Sequence, residues 1–227
     1  MGYFDEDGYL FLSGRKKEMI NRGGENISPR EIDEALLAHP AVAQAVAFAV
    51  PHDTLGEDIA AAVVLHPEAT VDEHDLRQFA FQRLAPFKVP TRILVVSVIP
   101  KGPTGKLQRI GLHNSLHNEL RVDHVAPRNE LEQSVVAVFE QILEITPVGV
   151  TDNFFALGGD SLKATRAIAR LSSEFFVELP AAALFLNPTA DEMALEITRL
   201  LGEDSGMLEE LLAEVEGMTE DEARRLE

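Results

Sequence analysis

The stretch Leu157–Leu162 reads Leu-Gly-Gly-Asp-Ser-Leu and predicts a tight turn that leads directly into a helix. The two glycines free the backbone to turn, and Ser161 then falls in the first turn of the predicted helix. A helix N-terminus favours negative charge, so an exposed Ser161 hydroxyl there suits a phosphodiester. The alternative explanation is structural, since Asp160 or Ser161 can serve simply as the cap of the helix.

The sequence around this stretch is helical and has almost no strand signal. Asn129 and Glu132 form a capping pair before one amphipathic run, and Thr189 and Glu192 form another before the last. We therefore predict an all-α four-helix bundle over residues 129–202, with residues 123–128 as the linker ahead of it.

The preceding part of the chain alternates between helix and strand signals. An Asp-Gly turn between two short apolar runs in residues 3–12 predicts a hairpin, and Ser28-Pro29 predicts a helix start. The apolar runs Ala43–Val50 and Ile59–Leu65 predict strands, a helix follows from Asp72, and a strand is predicted at 92–98. Residues 1–122 are thus predicted to form an α+β domain, a sheet with packed helices.

Composition excludes several classes of protein. The 227 residues carry a net charge of −18, divided as −3 over residues 1–122, −7 over 123–202 and −8 over 203–227, so no block favours nucleic acid. The absence of cysteine excludes disulfides and thiolate sites, and no apolar run is long enough for a membrane span. We expect a cytoplasmic protein whose residues 203–227 form an acidic, partly helical linker tail.

The pattern Asp-Asn-Phe-Phe-x-Leu-Gly-Gly-Asp-Ser-Leu at residues 152–162 closely resembles the peptidyl carrier domains of nonribosomal peptide synthetases. The resemblance extends over about residues 128–202. It implies that a phosphopantetheinyl transferase moves a 4′-phosphopantetheine arm from coenzyme A to Ser161, with Asp160 beside it in the cofactor-binding motif. The thiol of that arm would hold an acyl or aminoacyl group as a thioester.

The stretches Gly14–Ile20 and Gly23–Ile32 combine a basic cluster, a Gly-Gly turn and a capped helix. Together they resemble the start of the C-terminal subdomain of adenylate-forming enzymes, which include acyl-coenzyme A synthetases and peptide-synthetase adenylation domains. The resemblance implies that Arg15 approaches the nucleotide and that Lys17 is the hinge between two half-reactions. It also implies that Gly23 and Gly24 enter the active site in the thioester-forming state.

The loop Pro100–Arg109 lacks the spacing of a Walker P-loop but resembles the late Gly-Lys loop of the same enzymes. This resemblance implies that Lys106 stabilises the charge that develops during adenylation, with ATP and Mg bound in the intact module. His113 and His117 lie four residues apart without a third ligand placed by spacing, so we predict no metal site.

The two resemblances together predict an excised part of a loading module that activates a carboxylic acid and transfers it to Ser161. The expected partners are the large N-terminal adenylation subdomain, the phosphopantetheinyl transferase and a downstream condensation or ketosynthase domain, as in hybrids with polyketide synthases. We expect the fragment alone to be inactive in adenylation. Two alternatives stay open: a carrier and docking protein whose first domain is only a scaffold, and the end of a free acyl-coenzyme A synthetase.

Overall fold

The computed structural model describes residues 2–4, 6, 8–12, 15–102, 105 and 107–217. The predicted N-terminal hairpin is confirmed, because strands β1 (Gly2–Phe4) and β2 (Leu10–Leu12) pair antiparallel. These two strands form a small sheet of their own.

The main sheet has five strands and is mixed. Strands β3 to β6 follow the antiparallel order β4-β3-β6-β5, and β7 is added parallel to β6. The bounds are β3 Ile20–Arg22, β4 Glu25–Ile27, β5 Val42–His52, β6 Gly56–Leu65 and β7 Arg92–Val95. The two long strands were predicted, β7 ends three residues earlier than predicted, and the three-residue strands β3 and β4 were not predicted.

Strands β5 and β6 form a hairpin whose two faces are both buried. Side chains alternate across a strand, so Ala47 and Ala61 face one core, while Phe48 and Ala60 face another. Such two-sided burial explains why the sequence shows continuous apolar runs here in place of a polar-apolar alternation.

Helices cover both faces of this sheet. Helix α1 (Pro29–Leu37) begins with the predicted proline, and α2 (Glu73–Phe81) is capped by Asp72, whose side chain accepts from the Asp75 amide. Helix α2 ends at Phe81, earlier than the apolar spacing through Leu84 predicted. Single helical turns at α3 (Leu112–Ser115) and α4 (His117–Leu120) pack Leu112 and Leu116 on the second face of the sheet.

The residues after the linker form a helical unit with a core of its own. It contains α5 (Glu130–Leu143), α6 (Ser161–Phe175), α7 (Ala183–Leu186) and α8 (Ala190–Gly217). Val135, Phe139, Phe154 and Leu171 are among its fully buried members. Because α7 is a single turn, the predicted four-helix bundle is borne out only in part.

The capping pair predicted at the start of α5 is present. The Asn129 side chain accepts from the Glu132 amide at 2.8 Å. Arg128 in turn donates to the Glu132 carboxylate at 2.8 Å, and this hydrogen bond holds the pKa of Glu132 below its usual range. At the other end, α8 runs through residue 202 to Gly217 without a break at the predicted start of the tail. No described helix is long and apolar enough to cross a membrane.

We predict that Gly159→Ala destabilises the helical unit, because a methyl group there would overlap the Phe154 ring and carbonyl oxygen. Such overpacking costs about 1–3 kcal/mol. Gly202→Ala is the matched control, since no atom lies within 4 Å of a methyl group added there. Urea unfolding should show a loss for Gly159→Ala and no loss for Gly202→Ala. Equal midpoints for the two variants would contradict the packing argument.

Candidate functional site

Ser161 is the first residue of α6 and its side chain is exposed. The cap of this helix is Asp160, whose carboxylate accepts from the Lys163 amide at 2.8 Å. Of the two capping residues that the sequence left open, Asp160 therefore has the role. The Ser161 hydroxyl is left at the positive end of a 15-residue helix, where an attached anion is stabilised.

The loop before Ser161 is held by the core of the helical unit. The Gly159 amide donates to the Phe154 carbonyl at 3.0 Å, and Gly158 has a positive φ of 92° that favours glycine. Asn153 accepts from the amides of Phe155 and Ala156 at 2.9 and 3.2 Å. These bonds fix the backbone that leads to the serine.

Gly23 and Gly24 form the two-residue turn between β3 and β4. Both have positive φ, 59° and 97°, as the tight hairpin turn between twisted strands requires. The Asn21 side chain accepts from the Gly24 amide at 3.0 Å, and the Gly23 amide donates to the Leu55 carbonyl at 2.9 Å. The predicted Gly-Gly turn is thus the tip of a short hairpin in the main sheet, and a methyl group added at Gly24 would meet open space.

The predicted hinge residue Lys17 lies exposed in a short 3-10 helix, Lys16–Glu18. Arg15 is also exposed and lies 3.3 Å from Glu18 as an ion pair. Lys17 and Glu18 line a cavity of about 320 Å³ whose other charged members include Glu57 and Arg109. The surroundings of Lys17 therefore combine charged side chains with apolar ones such as Val50 and Ile110, and they are open to solvent.

Arg109 anchors the stem of the loop that carries the predicted Lys106. Its guanidinium donates to both carboxylate oxygens of the buried Asp33 and, at 2.9 Å, to the Ala47 carbonyl. Its Nε also lies 3.7 Å from Glu18. Lys106 itself lies outside the described residues, and no role for Arg109 was predicted from the sequence. The signal in the sequence was Asp33, which lies on the otherwise apolar face of α1. A buried carboxylate there requires a partner, and Arg109 is that partner.

The predicted residues lie in two groups. In the first group, Glu18 contacts both Arg15 and Arg109, so the hinge segment lies next to the stem of the Lys106 loop. In the second group, the turn His52–Gly56 between β5 and β6 contacts both the Gly23–Gly24 turn and the loop before Ser161. Within the described residues, no group of three or more acidic or histidine side chains suits a metal ion.

Comparison with known proteins identifies both parts of the chain. Residues 31–106 match the family described as AMP-binding enzyme C-terminal domain, and residues 133–197 match the family described as phosphopantetheine attachment site. The chain joins an AMP-binding C-terminal domain to a carrier domain.

Relatives of this two-domain chain are ligases and peptide synthetases. A probable CoA ligase of Humulus lupulus is 55% identical over 109 residues, which cover 48% of this chain and 21% of that protein. Tyrocidine synthase 2 of Brevibacillus parabrevis is 36% identical over 203 residues, 89% of this chain and 6% of that protein. A solved structure described as McyG A-PCP complexed with phenylalanyl-adenylate has a TM-score of 0.49 at 25% identity, over 86% of this chain and 34% of that one. The chain thus spans 21% of the length of the first of these two curated relatives and 6% of the second.

The carrier domain implies 4′-phosphopantetheine, and the residues around Ser161 fit that group. The hydroxyl is exposed, the helix N-terminus favours a phosphodiester, and the rigid glycine loop leaves the approach open. The Asp160 carboxylate is engaged with the Lys163 amide, so a direct contact of Asp160 with the cofactor stays a prediction.

We predict that Asp33→Ala strongly destabilises the AMP-binding C-terminal domain, because it leaves the Arg109 guanidinium without its carboxylate. Breaking a buried pair costs about 3–5 kcal/mol, and the partial exposure of Arg109 reduces this to about 2–3 kcal/mol. Glu34→Ala on the same helix is the control, since its pair with Arg30 is exposed and worth less than about 1 kcal/mol. Thermal unfolding that gave the two variants equal midpoints would disprove the anchoring role of Asp33.

Proposed function

We propose that this chain is part of a nonribosomal peptide synthetase loading module, in which an acid activated as its adenylate is transferred to an arm on Ser161. The observation that carries the proposal is the exposed Ser161 hydroxyl at the N-terminus of α6, with Asp160 already serving as the cap. The matches to both families, in the order that such modules require, support it. The proposed boundaries are residues 1–122 for the adenylation subdomain, 129–202 for the carrier and 203–227 for the tail.

When bound, the phosphopantetheine arm supplies a thiol that holds the acyl group as a thioester. The task of Ser161 is to present one accessible hydroxyl to the phosphopantetheinyl transferase and to keep the root of the arm fixed. Leu162, which is 71% exposed beside it, offers apolar surface to the transferase and to a downstream condensation or ketosynthase domain.

Lys106 is the proposed cation of the first half-reaction, in which ATP and Mg are bound by the intact module. A cation held where negative charge develops stabilises the transition state of adenylate formation. The anchor of its loop through Arg109 and Asp33 supports this assignment, because such stabilisation requires a preorganised charge. Arg15, exposed on the adjoining segment, is the proposed nucleotide contact.

Rotation about Lys17 is proposed to exchange the Lys106 loop for the Gly23–Gly24 turn between the two half-reactions. The exposed position of Lys17 within a short 3-10 helix supports a hinge, since its side chain is not packed in a core that would resist a change in the backbone there. The open space beside Gly24 suits close approach by an arm. We expect the isolated chain to form no adenylate, because most of the nucleotide and acid pockets of such enzymes belong to the large subdomain.

The first test is the mass of the intact protein after incubation with coenzyme A, magnesium and a broad phosphopantetheinyl transferase. We expect one arm per chain, lost in Ser161→Ala and kept in the control Ser173→Ala, which changes an exposed serine on the same helix. No added mass, or the same added mass in Ser161→Ala, would contradict arm attachment at Ser161. Ser161 would then only be the first residue of a capped helix.

The second test separates the module from the scaffold alternative. With the large subdomain present, Lys106→Ala should lower the rate of adenylate formation about 100-fold or more while transfer from a supplied adenylate is kept. Lys101→Ala, on the exposed side of the same loop, is the control. Unchanged adenylation in Lys106→Ala would favour the scaffold alternative, and equal losses in both half-reactions would refute the assigned role.

A further inference from the structure

The carrier domain contacts the AMP-binding C-terminal domain through a buried hydrogen bond. The Asn153 side chain donates from Nδ2 to the Thr91 carbonyl at 2.9 Å, and both residues are more than nine-tenths buried. Its Oδ1 meanwhile accepts from amides of its own loop. Separation of the domains would exchange this hydrogen bond for one to water, so the bond contributes modestly to the free energy of docking and mainly sets where the two domains meet.

A second contact is ionic. Arg77 on α2 is 3% exposed and lies 3.0 Å from Glu192, near the start of α8, and 3.1 Å from Glu73 of its own helix. A buried guanidinium requires such partners, because removing one carboxylate leaves part of its charge uncompensated. The Arg77–Glu192 pair therefore contributes to the relative orientation of the two domains, together with the longer contact of 3.6 Å between His74 Nδ1 and Glu192.

The third contact involves the turn His52–Gly56. Nδ1 of His52 accepts from the amides of Thr54 and Leu55, both at 3.2 Å. The neutral ring therefore carries its proton on Nε2, which donates to the Phe155 carbonyl at 3.2 Å in the loop before Ser161. A methyl group added at Gly158 would lie 3.7 Å from the Thr54 hydroxyl oxygen, so this loop approaches the tip of the turn.

The turn His52–Gly56 also contacts the Gly23–Gly24 turn of its own domain. The Leu55 carbonyl accepts from the Gly23 amide at 2.9 Å. One five-residue turn thus lies between the Gly23–Gly24 turn and the loop that carries the proposed attachment serine.

We propose that the turn His52–Gly56, together with Thr91 and Arg77, is a docking site for the carrier domain of this same chain, and that it holds Ser161 beside the Gly23–Gly24 turn. The two domains then rotate as one body about the hinge, and the arm begins next to the turn proposed to admit it. The role of this arrangement in transfer rests on the proposed function, whereas the docking itself does not.

The absence of cysteine permits a direct test on the full chain. A nitroxide attached to Asp53→Cys, at the exposed tip of the turn, broadens the amide signals of nearby residues in an NMR spectrum. We expect loss of signal both for residues 23–25 and for residues 157–162. Sharp signals for residues 157–162 would show an undocked carrier and overturn the proposal.

The decisive variant is Asn153→Asp combined with Arg77→Met. Asn153→Asp retains the oxygen that caps its own loop but removes the donor to Thr91, and Arg77→Met removes the interdomain pair of Arg77 with Glu192. We expect residues 157–162 to regain full signal while residues 23–25 stay broadened, because the latter belong to the labelled domain. Persistent broadening of residues 157–162 would show that these contacts do not hold the domains together.

Asn187→Asp is the matched control, since the Asn187 amide donates to the Ala183 carbonyl within the carrier domain. It introduces the same chemical change without touching the interface, and residues 157–162 should stay broadened. If they recovered signal in this control as well, general destabilisation would explain the effect and the proposal would fail. The mass measurement on Ser161 is independent, so a failure of arm attachment is distinguishable from a failure of docking.

Discussion

The pairing of β5 with β6 is the constraint on which the rest of the molecule depends. Ten residue pairs join the two strands from Val42 and Leu65 to His52 and Gly56. Because successive side chains point to opposite faces, this one hairpin supplies apolar side chains to both cores of its domain. Its register also fixes its turn, which contacts the glycine turn on one side and the carrier domain on the other. A slip of one residue would reverse the two faces and move every contact at the turn.

Local signals in the sequence predicted much of this fold. The two long apolar runs gave β5 and β6, and the capping residues Asp72 and Asn129 marked the starts of α2 and α5. The short strands β3 and β4 were missed, because three residues show no periodicity and these two strands are largely polar, unlike the apolar runs that marked β1 and β2. Helical spacing would place Ile145 on the same apolar stripe as Val138 and Ile142 of α5, but Ile145 follows the end of the helix and is 37% exposed.

The residues of the candidate site likewise divide into those that the local sequence predicted and those that it did not. Positions that follow from neighbours in sequence, such as the glycine turn and the start of α6 at Ser161, were predicted. Partnerships across the chain were not, because nothing local couples Arg109 to Asp33, 76 residues away, or Asn153 to Thr91, 62 residues away. Such pairs form only in the complete fold. A buried polar group requires a partner, and that partner comes from whichever segment packs against it.

The missing side chain of Gly159 affects the volume that a group attached at the proposed site can sample. This absence lets the Phe154 ring pack against the backbone two residues before Ser161, and Phe154 packs edge-on against Phe139 in the core at 5.0 Å between ring centroids. The root of the arm proposed at Ser161 therefore lies close to an aromatic core and contributes little conformational entropy of its own. The volume that a cargo can sample is then set by the length of the flexible arm, with the serine as a fixed pivot.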